Sequence, residues 1–437
     1  MKRIIFTILI INSFYAASQE IFTLKQCIET GLERNYSIRI IKNESQIASN
    51  NATIGNAGYL PSVALEGGYS GSLNNNTSDY TDGTTVIDKN INNNTLNANV
   101  NLNWTLFDGF GIQSDYARLK ELKNKGDLNT RIEIEDLVAN ITAEYYNLIR
   151  QRIRLRNLRS SVSLSKERLR IVEERYTIGT MSRLELQQAA VDFNADSSRL
   201  FMQIETVYAS RIRLNELMGV DSLEKRYPIQ DTIIITQPLL NRDDLESKTF
   251  SSNALLLTSH SNIKISELEL KKARSRDYPY VRMNAGYGLT DNWYGSGTME
   301  LQKRLGMNYG VTVGIIIFDG FNRKREQRNA RTQIENSDLR RQELELALKA
   351  DLSNLWMSYR NNLELWNLEK ENLQVALDTH EIAIERYKLG TLAGIELREA
   401  QNNLLEAKER QSIAEYNTKL CEISLLQISG QILNYLE

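Results

Sequence analysis

Apolar positions along this chain follow two rhythms, and each rhythm occurs twice. Between Gly109 and Glu174, Ile134, Val138, Ile141, Tyr145 and Leu148 succeed one another at steps of four, three, four and three. That is the seam of a helix packed along a helical partner. No proline interrupts the stretch, and at the helical rise it would reach roughly 100 Å, too long for the inside of a compact globule. Tyr176-x-x-Gly179 ends it, since glycine enters the left-handed conformation without a Cβ clash. Ser182-x-x-Glu185 then has the form of a capping box that opens a second helix, expected to run to Met218. The predicted unit is a long helical hairpin with a sharp tip.

The other rhythm has period two. Val63, Leu65, Tyr69 and Leu73 alternate with Ala64, Glu66, Gly68, Ser70 and Ser72, while Leu96, Ala98, Val100, Leu102, Trp104 and Leu106 alternate with Asn97, Asn99, Asn101, Asn103 and Thr105. Further on, Val281, Met283, Ala285, Tyr287 and Leu289 form one apolar row and Met307, Tyr309, Val311, Val313, Ile315 and Ile317 another. Segments of about ten residues with one apolar and one polar face fit membrane β-strands. They also fit a hairpin half-buried on a helix in water. Asn74 to Asn94, rich in Asn, Thr, Asp and Gly, holds no core and is expected to be an exposed outer loop, with Thr290 to Gly306 as its shorter counterpart. Four strands in one chain do not close a barrel. An open edge in lipid leaves backbone groups unpaired at several kcal/mol each, so the membrane reading requires several chains.

Both rhythms belong to a duplication. Phe107-Asp108-Gly109-Phe110 returns as Phe318-Asp319-Gly320-Phe321 (318 − 107 = 211), and Arg175-Tyr176-Thr177-Ile178-Gly179-Thr180 returns as Arg386-Tyr387-Lys388-Leu389-Gly390-Thr391 (386 − 175 = 211). Gly219 and Gly430 keep the same displacement. The expected organisation is a signal peptide over 1–18, a first repeat over 19–219 with strand hairpin 62–106 and helical hairpin 108–218, an equatorial linker over 220–249, and a second repeat over 250–437. In that second repeat the strand hairpin is placed at 280–317 and the helical hairpin at 319–431. Residues 23–58 are expected to be helical, broken near Gly31 to Asn35, and Ile233-Ile234-Ile235 a short β-like run in the linker.

Lys2-Arg3 before the apolar run Ile4 to Ala17, with small residues at Ala16, Ala17 and Ser18, has the layout of a cleavable secretory signal. No later segment approaches the ~18 apolar residues of a membrane helix. Net charge −2 and the absence of a basic patch interleaved with aromatics argue against nucleic acid as a partner. Cys27 is expected to be a helix-buried thiol without a lipid anchor, and its relation to Cys421 stays open. His260 and His380 lie far apart, no Cys/His cluster has metal spacing, and no phosphate-cradling loop follows a strand. A conduit fits better than a catalyst, with no cofactor and with energy from a partner.

From about Thr23 to Leu433 the chain resembles the TolC-like outer-membrane efflux protein family. The likeness rests on the two tandem copies, the Phe-Asp-Gly after the second strand of each, and the Tyr-x-x-Gly tips. The resemblance implies a mainly α fold of long helical hairpins forming a periplasmic α-barrel, with four strands per chain contributing to a 12-stranded barrel of a homotrimer in the outer membrane. It further implies outer-membrane lipid and a periplasmic adaptor as partners, and an inner-membrane pump indirectly. The family's acidic mouth falls here on Glu396 and Glu399, and its closing tyrosine on Tyr387, while Leu392 stands where the partner arginine belongs. Arg386, Lys388 or Arg398 could substitute for it. Glu185 of the first copy is counted with these pore and gate residues, although the capping box holds it, whereas Ala393 replaces that serine in the second copy and leaves Glu396 freer to face a pore. The tips, with Tyr176, Gly179, Thr180, Tyr387, Gly390 and Thr391, are the expected adaptor-docking points. The expected function is a passive, gated outer-membrane channel exporting small molecules. The alternatives are a type I protein secretion conduit and, in another class, a secreted coiled-coil scaffold or adhesin.

Overall fold

The computed structural model describes residues 22–229, 231–234 and 240–436; the expected signal segment lies outside them. In order the elements are α1 (Leu24–Arg34), α2 (Tyr36–Asn51), β1 (Ser62–Asp79), β2 (Thr85–Phe107), α3 (Gly111–Thr177), α4 (Arg183–Leu217), α5 (Arg242–Ser252), α6 (Ala254–Ser275), β3 (Tyr280–Trp293), β4 (Leu301–Gly314), α7 (Asn322–Lys388) and α8 (Gly394–Ile428), closed by a 3-10 turn at Ile432–Leu436. The chain is mainly helical with four antiparallel strands. The described residues divide into two compact units, one holding 22–42, those of Thr130–Leu256 and 344–436, the other Asn43–Asn129 and Leu257–Glu343.

In the first unit the four-three seam of α3 becomes the core. Val138, Ile141 and Tyr145 are fully buried and pack with Ile28, Ile38, Leu214, Met218, Ile423 and Leu426. Each helical hairpin returns onto a kink between two short helices. Asn35, between α1 and α2, accepts from the Ser37 amide at 2.9 Å and donates to the Leu217 carbonyl at 2.9 Å. Asn253, between α5 and α6, accepts from Leu256 at 3.1 Å and donates to Ile428 at 2.9 Å. Gly219, at φ +65, lies so close to this kink that a Cβ would stand 2.8 Å from the Arg34 carbonyl carbon. The second set of elements therefore begins with α5, inside the stretch assigned to the linker. Ile233 and Ile234 form no strand, while Ile235 lies outside the described residues; the bridge there pairs Phe22 with Ile229. Cys27, buried on α1, and Cys421 are both free thiols. Burial, with Asp231 nearby, pushes the Cys27 thiol up to about 12.

In the second unit the strands form one sheet in the order β1-β2-β3-β4. Its register aligns Leu65, Val100, Tyr287 and Met307 on one face, as it does Val63, Leu102, Ala285 and Tyr309. The opposite face carries Asn97, Asn99, Asn101 and Asn103 of β2 beside Asn284 and Asn292 of β3. The two long loops expected from composition are largely sheet. β1 continues to Asp79, reverses over Tyr80–Thr84, and pairs onward through Asp79↔Thr85, because a backbone ladder is satisfied by its partner strand whatever the side chains. A single irregularity at Asn74/Asn76 is tied by Asn75 Oδ1, which accepts from the Asn90 amide at 2.7 Å. The second hairpin likewise reverses only between Trp293 and Leu301, and β4 ends at Gly314, short of the expected 317. Helix α2 stops at Asn51 and turns fill the interval to Gly58.

The repeated Phe-Asp-Gly-Phe is the strand-to-helix joint. Gly109 and Phe110 (φ 73 and 72), like Gly320 and Phe321 (φ 67 and 62), take left-handed backbone. Asp108 accepts from the Ile112 amide at 3.1 Å and Asp319 from Arg323 at 2.9 Å, satisfying first-turn donors. The flanking rings meet edge to face at 5.2 Å and 5.3 Å.

Candidate functional site: the hairpin tips

Both tips close by the same hydrogen bonds. Gly179 donates to the Tyr176 carbonyl at 2.9 Å and Thr180 to Arg175 at 2.9 Å; Gly390 and Thr391 repeat this onto Tyr387 and Arg386 at 3.1 Å and 2.9 Å. This is a Schellman ending with glycine at the left-handed position. The Thr180 and Thr391 hydroxyls each donate to the same arginine carbonyl at 3.0 Å, so both threonines serve their own turn. Ile178 (73% exposed) and Leu389 (78%) project from the tips, and Tyr176 is partly exposed. Tyr387 does the reverse: its ring is 5% exposed, packed with Ala383, Leu397, Ala400 and Leu392.

The next helices start asymmetrically. Ser182 and Glu185 complete the capping box, Glu185 accepting from the Ser182 amide at 2.8 Å and the Glu185 amide donating to the serine oxygen at 3.2 Å. The Ser182 backbone and hydroxyl hydrogen bonds hold the Glu185 carboxyl below the usual carboxylate range. On α8, Ala393 offers no acceptor, yet Glu396 still takes the reciprocal half, accepting from the Ala393 amide at 3.2 Å. Glu396 is thus less free than the missing serine suggested. Glu399 is exposed one turn on.

Between the two hairpins lies a charged clasp. Arg398 of α8 donates to both carboxylate oxygens of Asp196 on α4, at 2.7 Å and 2.8 Å, and approaches Asp192 at 3.6 Å; Arg168 of α3 pairs with Asp192. Asp196 is fully buried. Burial alone would raise its carboxyl, but Arg398, with the Ser165 and Ser161 hydroxyls, outweighs burial and holds it below the ordinary range. The Asp196 hydrogen bond in turn raises Arg398. Beside the clasp is a pocket of ≈ 490 Å³ lined by Arg168, Glu185, Asp192, Tyr387, Ile395 and Arg398. The structure therefore brings Glu185 and Tyr387 to one pocket and leaves Glu396 and Glu399 outside its lining. Leu392, standing for the family arginine, packs beside Tyr387, and the Arg175 guanidinium lies over that ring, 5.9 Å from its centroid.

Sequence reasoning named Arg398 only as a stand-in for that arginine and missed Asp192 and Asp196 altogether. A signal existed. In the first copy the counterparts of Arg398, Asn403 and Ala407 are Gln187, Asp192 and Asp196 (398 − 211 = 187), so the copies diverge in charge at these three positions. Among the described residues no group of three or more His, Cys, Asp or Glu is placed to hold a metal.

A family model described as outer membrane efflux protein matches residues 27–220 and 247–431. Protein CyaE of Bordetella pertussis is 22% identical over 404 residues, covering 89% of this chain and 80% of that protein. Of the solved structures, the Campylobacter jejuni CmeC outer membrane channel superposes with a TM-score of 0.79 at 16% identity, over 93% of this chain and 85% of that one. A membrane protein from Pseudomonas aeruginosa gives 0.76 at 14% identity over 93% of each chain. At these identities the structural likeness speaks for the fold. The family match spans both repeats, and on it the conclusion rests: this chain belongs to the outer membrane efflux protein family.

Proposed function

We propose that three copies of this chain form the outer-membrane channel of a tripartite export system, a passive conduit whose tips meet a periplasmic adaptor fed by an inner-membrane pump. The family is one of outer-membrane channels, not of enzymes. The observation that carries the finer reading is the sheet: among the described residues β1 pairs only with β2 and β4 only with β3, so both edges are open, and one face carries exposed apolar side chains, Leu65, Tyr287, Met307 and Tyr309 among them. Such edges in lipid require neighbouring strands, which copies of the same sheet supply.

The helices support the same assembly. On α7, Leu368, Val375 and Ile382 recur every seven residues, Leu389 keeps the spacing just past the helix end, and all four are more than half exposed. That is the repeat of a helix seam awaiting a partner, here an adjacent subunit. The sheet's other face is a wall of neutral amides, several laid over glycines: a Cβ on Gly288 would meet Asn99 Oδ1 at 2.0 Å. Such a wall offers wet passage with few fixed charges. At the hairpin tips Glu396 and Glu399 would ring the mouth and favour cations, and Ile178 and Leu389 would join the tip turns in adaptor docking. Reconstituted into planar bilayers, the detergent-extracted protein should conduct ions; electrically silent bilayers at protein densities that give porin currents would contradict the proposal.

A further inference from the structure

The segment Arg150-Gln151-Arg152-Ile153-Arg154-Leu155-Arg156-Asn157-Leu158-Arg159 sets five arginines within ten residues of α3. Two are engaged: Arg150 lies 4.6 Å over the Tyr416 ring, and Arg154 pairs with Glu409 at 3.1 Å. Arg152, Arg156 and Arg159, spaced four and three, share one helix face and line a pocket of ≈ 240 Å³ with Ile149, Asp231 and Thr232. Arg211 of α4 and Arg226 add to the same field. Burial first, then the Arg226 and Arg152 charges, lowers Arg211. Among the described residues no ion pair or carboxylate hydrogen bond engages the guanidiniums of Arg152, Arg156, Arg159, Arg211 and Arg226. Asp231, the carboxylate in the pocket lining, already accepts from the Tyr145 hydroxyl at 2.7 Å.

The helical scaffold does not need this charge. At the 211-residue displacement Arg152, Arg156 and Arg211 correspond to Leu363, Asn367 and Glu422, while Arg159 keeps a positive counterpart in Lys370, so the second hairpin forms the same elements with most of this charge removed. Like charges held this close oppose folding, and an anionic partner would relieve them. On α3 no large apolar side chain is exposed between Phe110 and Leu164, whereas a protein interface centres on such anchors.

We propose that the Arg152, Arg156 and Arg159 face binds the carboxylate-rich peptide stems of the peptidoglycan layer. The assignment rests on the reading above, in which this unit stands in the periplasm. The guanidinium fork matches carboxylate geometry, and a row of three suits a polymer that offers carboxylates repeatedly.

The test is co-sedimentation of the full-length, detergent-solubilised protein with purified sacculi at about 0.1 M salt. The unaltered protein should pellet, and Arg152→Gln/Arg156→Gln/Arg159→Gln should weaken apparent affinity about tenfold, as three exposed ion pairs together allow. The corresponding triple lysine variant should keep most of the binding, and sacculi whose carboxylates have been amidated should capture none. Equal pelleting of the glutamine variant, capture by amidated sacculi, or no pelleting of the unaltered protein would overturn the proposal. Binding to poly-glutamate without binding to sacculi would also overturn it, pointing instead to an acidic protein. Conductance of the glutamine variant should match that of the unaltered protein. Failed sedimentation with normal conductance therefore removes this site and leaves the channel standing.

Discussion

Arg398→Ala should release the second hairpin from the first. In the structure its guanidinium meets both oxygens of Asp196 at 2.7 Å and 2.8 Å, and Asp196 has no solvent exposure. Removing one partner of a buried pair costs about 3–5 kcal/mol, mostly because the other charge is left behind. The lower end applies, since Ser161 still donates to Asp196 at 3.1 Å and Arg199 stands 3.7 Å away. About 3 kcal/mol is roughly two decades in an equilibrium constant, enough to move a closed tip substantially toward an open one. The assay is open probability in planar bilayers, together with hydrogen exchange of the amides around 392–400, both of which should rise. Asp196→Leu combined with Arg398→Met removes both charges, and a pair replaced by apolar groups is close to neutral. That double variant should lie within about 1 kcal/mol of the unaltered protein and tighten the tip again. A single variant with unchanged exchange and conductance, or a double variant as loose as the single one, would refute the reasoning.

Three further outcomes follow from the same region. The Asp196 carboxyl is depressed in the folded chain, so its contribution is present above the unfolded value near 3.9 and is lost as pH falls through the folded one. The melting difference between the unaltered protein and Asp196→Asn should therefore be constant from pH 5 to 8 and shrink below about pH 4; a difference growing on acidification would contradict the clasp. Ala393→Ser should complete the second capping box and slow hydrogen exchange at the start of α8 by the equivalent of about 1 kcal/mol, while Ser182→Ala loses a similar amount at α4. Glu396→Lys with Glu399→Lys should invert cation preference in bilayers; unchanged selectivity would remove these carboxylates from the mouth.

The helical hairpins were legible because their signals are local: a four-three seam, a tip glycine that must be left-handed, and a capping box written within four residues. The 211-residue displacement then repeated the tip glycine and its flanking Arg-Tyr in the second copy. What escaped was either uniform in composition or distant in sequence. Residues 74–94 look like loop because Asn, Thr and Asp dominate, yet ladder hydrogen bonds use backbone groups that composition does not report. Helix α5 carries only Leu245 and Phe250 as large apolar residues, so periodicity is silent there. Its start is nonetheless marked by Asn241, which accepts from the Asp243 amide at 2.9 Å, and by Asp243 and Asp244 in the first turn. The clasp joins residues 202 positions apart, and only the mismatch between otherwise register-true copies hinted at it.

The central claim is that one chain supplies an incomplete, lipid-facing sheet which further copies must complete. Its most direct measurement is the protein mass of the detergent-extracted particle by light scattering with the detergent contribution subtracted. The account predicts three chains of 50.1 kDa, less any cleaved leader, with no stable species in detergent-free buffer. A monodisperse single chain soluble without detergent would contradict it.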